Sequence, residues 1–444
     1  MSIWDYRANF AYDNPLDPRD ERRVDLNDAR GDYSRKRLLR ELGIDPGSRQ
    51  LRDVPAGKCV LFGGHRGCGK STELLAIAYD LAGPERFFVV SIDALQLLDI
   101  NNLTYADIAL ALAEALAVRA GEAGIEVPEV HLTPLRQWFQ DVCHKTTFAE
   151  SLSGELKTGA NAAVGLPFVG KLFASLTAAI RSNTTYKSEI RDKVRNAFSA
   201  FAGAFNQLLA YVAQEIHRQA QGRSLIFVVD GTDRLRGGEA DALFIRDIHQ
   251  LRQLRANCIY CAPISVLNEQ GQVAQNFDAI FRLPMVKLAE KGRAERIAVA
   301  WDRLREFLYK RLPEDNFDHG DTVDLLITHS GGHPRDLLRL VNLCFQEIDQ
   351  GPITQTVAET AASRLSNEYR RLVRPEDFPL LAAIDGAAPD YAPATEQTLR
   401  LLYDLVLLEY NSYWWQSHPA VRTLEAYRSA AARAGGPVDG LPAS

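Results

Sequence analysis

One run of residues carries the clearest chemistry in this sequence: Gly64-His65-Arg66-Gly67-Cys68-Gly69-Lys70-Ser71, followed by Thr72. The spacing G-x-x-x-x-G-K-S is that of a loop that binds phosphate with its backbone. Glycines let successive N–H groups turn inward, and the start of the following helix adds its positive dipole end. The backbone of Gly64 and of Arg66 to Thr72 is therefore the expected cradle. Lys70 is expected to neutralise the β and γ phosphates of ATP, and Ser71 to place its hydroxyl on Mg²⁺. The side chains of His65 and Arg66 are expected to point away from the phosphates, with His65 in solvent. Cys68 lies near a helix start, where a thiolate is favoured.

Such a loop needs a carboxylate at the tip of a neighbouring strand to hold Mg²⁺ through water. Ser224-Leu-Ile-Phe-Val-Val-Asp230 supplies one, with Asp233 three positions on. Asp230 is the expected metal residue. In AAA+ ATPases the position after this Asp usually holds Glu as the base that polarises water. Here it is Gly231, so Asp233 becomes the candidate base. Its alternative role is structural, as a turn cap or a partner of Arg234 or Arg236.

The D-G-x-D pattern after an apolar strand resembles the second nucleotide motif of NACHT and related STAND ATPases, switches that use ATP to control assembly. GGHRGCGKSTEL and LIFVVDGTDRL together carry that resemblance, over about residues 50–345. It implies an α/β three-layer P-loop fold of sheet order 5-1-4-3-2 with a helical lid. A third element, Ser330-Gly331-Gly332-His333-Pro334-Arg335-Asp336, is similar to two things at once. Gly332-x-Pro334 resembles the G-x-P element whose proline packs near adenine. Arg335 resembles the lid arginine of AAA+ proteins that contacts the γ-phosphate, which only ATP offers. The same residues also read as a plain helix start, with proline in the first turn and Asp336 beside the dipole. Ser265 is the nearest polar residue to a sensor position after the fourth strand. Arg252, Arg255 and Arg282 offer no convincing arginine finger, an element that STAND proteins often lack.

These motifs need a scaffold, and the apolar runs provide it. CVLFGG (59–64), FFVVSID (87–93), SLIFVVD (224–230), NCIYCAPI (257–264) and 279–283 read as buried strands by length and flanking breakers. Residues 70–82 and 103–119 read as helices, so strands and helices alternate around a mostly parallel sheet. The organisation expected is an N-terminal arm (1–50), a nucleotide core (51–285) with a helical insertion at about 120–222, a lid (286–373), a winged-helix-like unit (374–430) and a disordered tail (431–444). Within the insertion, 186–219 reads as one long amphipathic helix. The apolar, Gly-rich stretch 159–180 reads as a flexible loop or self-association surface, with an interfacial helix as the alternative. P-loop proteins of the KAP group carry transmembrane insertions at this place, yet a hairpin crossing twice needs about 40 residues.

The chain has 444 residues, 46% of them hydrophobic and 24% charged, with a formal net charge of −6. That balance suits a globular ATPase and gives no general support for nucleic-acid binding. The N-terminus has no basic start followed by an apolar run, and the six cysteines sit mostly in apolar contexts, so the reading is cytoplasmic with free thiols. Cys258 and Cys261 form a C-x-x-C without a second pair, inside what reads as a core strand.

Two function classes follow. The first is an ATP-driven switch that controls assembly with a separately encoded protein partner, in bacterial signalling or defence, as a nucleotide-dependent homo-oligomer. The second is a DNA-associated AAA+ ATPase similar to origin-recognition or transposition proteins. Residues 375–429 decide for the first, because their acidic side chains outnumber their three arginines. The aromatic cluster Tyr410, Tyr413, Trp414 and Trp415 reads as core.

Overall fold

The computed structural model describes residues 3–52, 57–143, 165–182, 184–268, 270–388, 393–411 and 414–434. Seven strands lie within them: β1 Cys59–Gly64, β2 Phe87–Asp93, β3 Ser224–Asp230, β4 Asn257–Pro263, β5 Ala279–Leu283, β6 Leu407–Asn411 and β7 Trp414–Ser417. The first five form a sheet of order β2-β3-β4-β1-β5, which is the 5-1-4-3-2 order expected, and β6 and β7 form a hairpin. Strands β2, β3 and β4 pair in parallel. The near-continuous burial of β3 and β4 matches their apolar runs, since a parallel sheet is covered on both faces.

The chain forms two compact units. One comprises residues 36–62 and 77–281; the other comprises residues 1–35, 63–76 and 282–444. The first unit holds the body of the sheet and the helices inserted between β2 and β3: Tyr105–Glu122, Glu129–Cys143, Leu166–Ser182, Thr184–Asn196 and Phe198–Arg218. Their apolar faces share one core, which includes Leu116, Phe139, Phe173, Phe201 and Phe205. Two expectations are corrected here. The apolar segment is neither loop nor exposed surface: Leu166–Ser182 is a core helix, and a β-carbon at its Gly170 would touch Ala117 Cβ at 3.3 Å. Small residues at 117 and 170 let the two helices approach closely. Residues 159–164 of that segment lie outside the described residues. The long helix at 186–219 is two helices, interrupted at Ala197. The chain turns there because Ala197 C=O accepts the Trp138 indole N–H at 3.1 Å while Phe198 and Phe201 both enter the core.

The other unit joins the phosphate loop to the lid and the C-terminal segment. Lid helices span Ala298–Tyr309, Gly320–Ser330, Pro334–Phe345 and Gln355–Arg370. The winged-helix-like part runs from Asp377–Gly386 through Glu396–Tyr403, the β6–β7 hairpin, and helices Pro419–Arg422 and Glu425–Arg433. Tyr410, Trp414 and Trp415 are buried, and Tyr413 lies outside the described residues. The N-terminal segment is more than a polar arm. Ile3–Phe10 is a 3₁₀ helix whose Phe10 is fully buried, edge-on to Phe345 at 5.5 Å between ring centres. Residues 435–444 of the expected tail lie outside the described residues.

Candidate nucleotide site

Strand β1 ends in Gly63-Gly64, and the helix Lys70–Leu81 begins six residues later, so the loop between them is short. Gly64, Gly67 and Gly69 have φ of 157°, 79° and 99°, values that L side chains rarely adopt. Gly64 also has no room for a side chain: a β-carbon there would lie 2.4 Å from Leu283 C=O. Lys70 is buried, and its Nζ donates to the carbonyls of Gly64 at 3.0 Å and His65 at 2.7 Å. The ammonium is thus folded over the loop that it is expected to serve. Ser71 and Thr72 are half-buried in the first turn, and Thr72 Oγ1 accepts the Leu16 N–H at 3.3 Å.

The N-terminal segment braces this loop from below. Arg30, 5% exposed, donates to Cys68 C=O at 2.6 Å and also to Pro284 C=O. Glu73 accepts from Tyr33 Oη at 2.8 Å and from Arg35 through two bonds of 2.7 and 2.8 Å. Nothing in the polar composition of residues 1–50 announced these contacts. Cys68 is fully buried, its Sγ beside Gly64, so the thiol does not face solvent.

His65 requires a correction. It is buried, not solvated, and both ring nitrogens are engaged. Nε2 accepts the Glu409 N–H at 2.7 Å, so the proton sits on Nδ1, which donates to Leu402 C=O at 3.1 Å. Burial, aided by the nearby His333 and Lys70 charges, pushes the His65 imidazole down to about 3.

The lid turn Gly331-Gly332-His333-Pro334-Arg335 sits on the same loop. Gly331 and Gly332 have φ of 61° and 73°, and a β-carbon on Gly332 would lie 1.9 Å from Val286 C=O. The two glycines therefore close the preceding helix and bring the chain against its neighbour. Pro334 opens the next helix and is buried. His333 Nε2 lies 3.0 Å from Arg66 C=O. A β-carbon on Gly67 would lie 2.6 Å from His333 Nε2 and 2.9 Å from Arg335 Cβ. Arg335, some 265 residues away in sequence, thus lies against the phosphate loop, with its guanidinium 5.9 Å from the Tyr12 ring centre.

Asp336 is the anchor of this turn. Its Oδ2 lies 3.2 Å from His333 Nδ1, 3.2 Å from His418 Nε2 and 2.5 Å from Tyr369 Oη, while Arg339 donates to Oδ1 at 2.6 Å. Burial alone would raise this carboxyl; the two imidazoles outweigh it and hold Asp336 well below the usual carboxylate range. Two histidines and an aspartate this close have the composition of a zinc site. The His418 tautomer argues otherwise: its Nδ1 accepts the Ala420 N–H at 3.1 Å, so Nε2 carries the proton and faces Asp336 as a donor.

The acidic strand end belongs to the sheet unit. Asp93 of β2 pairs in register with Asp230 of β3, placing two carboxylates at the same edge. Asp230, Asp233 and Cys261 bring ligand atoms within 4.8 Å of one another, so Asp233 does lie beside Asp230. Thr232 Oγ1 donates to Cys261 C=O and fixes the turn. Gly231 has φ 83°, and a β-carbon there would lie 2.9–3.0 Å from Leu95 and from Asp93 Oδ1. A side chain at that position would have to displace Leu95 and the Asp93 carboxylate just at and after the end of β2. Ser265 is half-buried in the short helix Ile264–Asn268 after β4. Arg252 pairs with Asp278, and Arg282 with the buried Glu409. Cys258 and Cys261 are buried free thiols.

No family model and no curated protein matches the chain. Solved structures similar to it include Cdc6p from Pyrobaculum aerophilum, at 11% identity over 96% of this chain and 98% of that one, with a TM-score of 0.36. A RuvB variant from Thermotoga maritima is similar at 12% identity over 94% and 99%, with a TM-score of 0.38. Scores this low leave the assignment to the chain's own features. Among the described residues no helix is long and apolar enough to cross a membrane. By its strand order, its parallel sheet covered by helices and its glycine-rich loop between β1 and the following helix, the chain has a three-layer α/β P-loop fold.

Proposed function

We propose that the protein binds and hydrolyses ATP with Mg²⁺, and that its nucleotide state sets the position of the lid, as in a molecular switch that controls assembly with protein partners. The observation that carries this reading is the lid turn on the phosphate loop: His333 against Arg66 C=O and Arg335 against Gly67.

The residues present fit the cofactor. Positive-φ glycines free the loop amides to face phosphate oxygens. Lys70 already directs its ammonium at loop carbonyls, acceptors that phosphate oxygens would replace. Ser71 and Asp230 each carry an oxygen of the kind that Mg²⁺ prefers, and each would serve as a ligand to it. Asp233 would accept a proton from the attacking water, and Mg²⁺ when bound offsets charge on the transferring phosphoryl group. Arg335 would pair with the γ-phosphate, a contact that ADP lacks.

A DNA-associated role is the second reading. The charge count against it is smaller by one than the sequence suggests, because the buried Glu409 pairs with Arg282 from outside residues 375–429, whereas Asp377 pairs with Arg400 inside them. The remaining balance still disfavours a phosphate backbone. Protein partners are therefore the preferred reading. The test is to measure phosphate release, then size and protease sensitivity with ATP, with ADP and without nucleotide. Turnover with an ATP-specific change in size or cleavage is the expected result. Turnover with no such change reduces the protein to a constitutive ATPase, and no nucleotide binding removes the reading altogether.

A further inference from the structure

The second and third residues of the phosphate loop are held from outside the loop. His65, the first variable position of the motif, is clasped by two main-chain groups of the winged-helix-like segment. One is the carbonyl of Leu402 at the end of helix Glu396–Tyr403; the other is the N–H of Glu409 in the middle of β6. The turn between them is tight, with Leu405 at φ 63°. Glu409 is itself fixed on both sides. Its carbonyl accepts the Met285 N–H at 3.0 Å, and its buried carboxylate meets Arg282 at 3.3 Å and the Trp415 indole N–H at 2.9 Å. Burial raises this carboxyl, with Arg282 and Trp415 opposing. Arg66 is held on its carbonyl by His333, and the His333–Asp336–His418 cluster leads from there to the start of helix Pro419–Arg422. Loop movement at His65 must therefore break or carry along contacts to β6.

We propose that His65 is a positioning residue that makes the phosphate loop and the Leu402–Glu409 turn move as one, so that the winged-helix-like segment, and not the lid alone, reads nucleotide occupancy. The physical step is a competition. Lys70 Nζ binds the carbonyls of Gly64 and His65. Phosphate oxygens draw the ammonium away, the His65 peptide loses its cation, and its ring transmits the adjustment to the Glu409 N–H. A solvated side chain at 65 would transmit nothing. The effect needs differential contact in the two states, and the clasp supplies it. This inference rests on the reading that a nucleotide phosphate enters the loop.

Hydrogen exchange on the full chain tests it, read on peptides covering 405–411, with and without saturating Mg-ATP. Nucleotide binding is measured in parallel. In the wild type, Mg-ATP is expected to change protection of the Glu409 amide. In His65→Ala this amide should exchange about tenfold faster, the worth of one buried hydrogen bond, and its response to Mg-ATP should be lost. His65→Asn, which is shorter but keeps a carbonyl acceptor, serves where the alanine variant fails to fold; its response should be reduced. A folded variant that no longer binds nucleotide also shows that the loop depends on this clasp. Binding of Mg-ATP by the wild type without any change at 405–411 overturns the inference and leaves the ATPase reading intact, as does a full response in either variant. Absence of nucleotide binding in the wild type removes the ATPase reading and this inference with it.

Discussion

The burial of His65 makes the stability of its unit depend on pH in a calculable way. An exposed histidine titrates near 6.5, whereas this one is pushed down to about 3, chiefly by desolvation. The folded pKa is depressed, so the unfolded chain binds the proton first. The stabilisation is complete above about pH 7 and falls as pH drops through 6.5 toward 3. For a group neutral in the fold throughout, the loss from pH 7 to pH 5 is about 2 kcal/mol. His418 is also held below its ordinary value by burial and adds in the same direction. The assay is urea unfolding followed by tryptophan emission, to which Trp4, Trp301, Trp414 and Trp415 of this unit contribute. His65→Asn removes one titrating group. The wild type should lose about 2 kcal/mol more than this variant between pH 7 and pH 5. Equal losses in the two proteins would refute the argument and place His65 in solvent after all.

Other expectations concern the chemistry itself. Lys70→Ala should abolish hydrolysis and weaken ATP binding, measured by phosphate release and equilibrium dialysis; unchanged turnover means that the site lies elsewhere. Asp230→Asn should reduce turnover and alter its Mg²⁺ dependence, and a wild-type metal titration would exclude it as the metal residue. Asp233→Asn should keep nucleotide affinity while slowing turnover by roughly 2–4 powers of ten; a near-normal rate makes Asp233 a turn residue. Cys68, fully buried, should resist alkylation in the native chain and react only on unfolding; rapid native labelling protected by ATP would show that the thiol reaches the pocket.

The legibility of this chain followed the range of its interactions. Strands β1 to β3 could be bounded to the residue because each is an apolar run closed by glycine or aspartate. The phosphate loop is equally local. Arg335 could be singled out by type but not placed, because its position on Gly67 depends on two glycines, a proline and a tertiary fold. His65 could not be read at all. Its partners are backbone atoms of Leu402 and Glu409, and main-chain groups leave no signature in side-chain type. Glu409 entered the acidic count of residues 375–429 at full weight, because Arg282, which compensates it, lies far away in sequence. The helix Leu166–Ser182 was hidden by its small residues, which read as loop until Ala117 is seen against Gly170.

The central claim is that the lid senses the third phosphate. Its most direct measurement is the affinity of wild type and Arg335→Ala for ATP and for ADP, each with Mg²⁺. A charge-assisted bond of roughly 1.5–3 kcal/mol corresponds to about tenfold to a hundredfold in the ATP-to-ADP ratio. The account predicts that the wild type prefers ATP by that order and that Arg335→Ala binds the two nucleotides alike. A variant that still discriminates ATP from ADP as the wild type does would contradict it, and Arg335 would then be no more than the second residue of a helix.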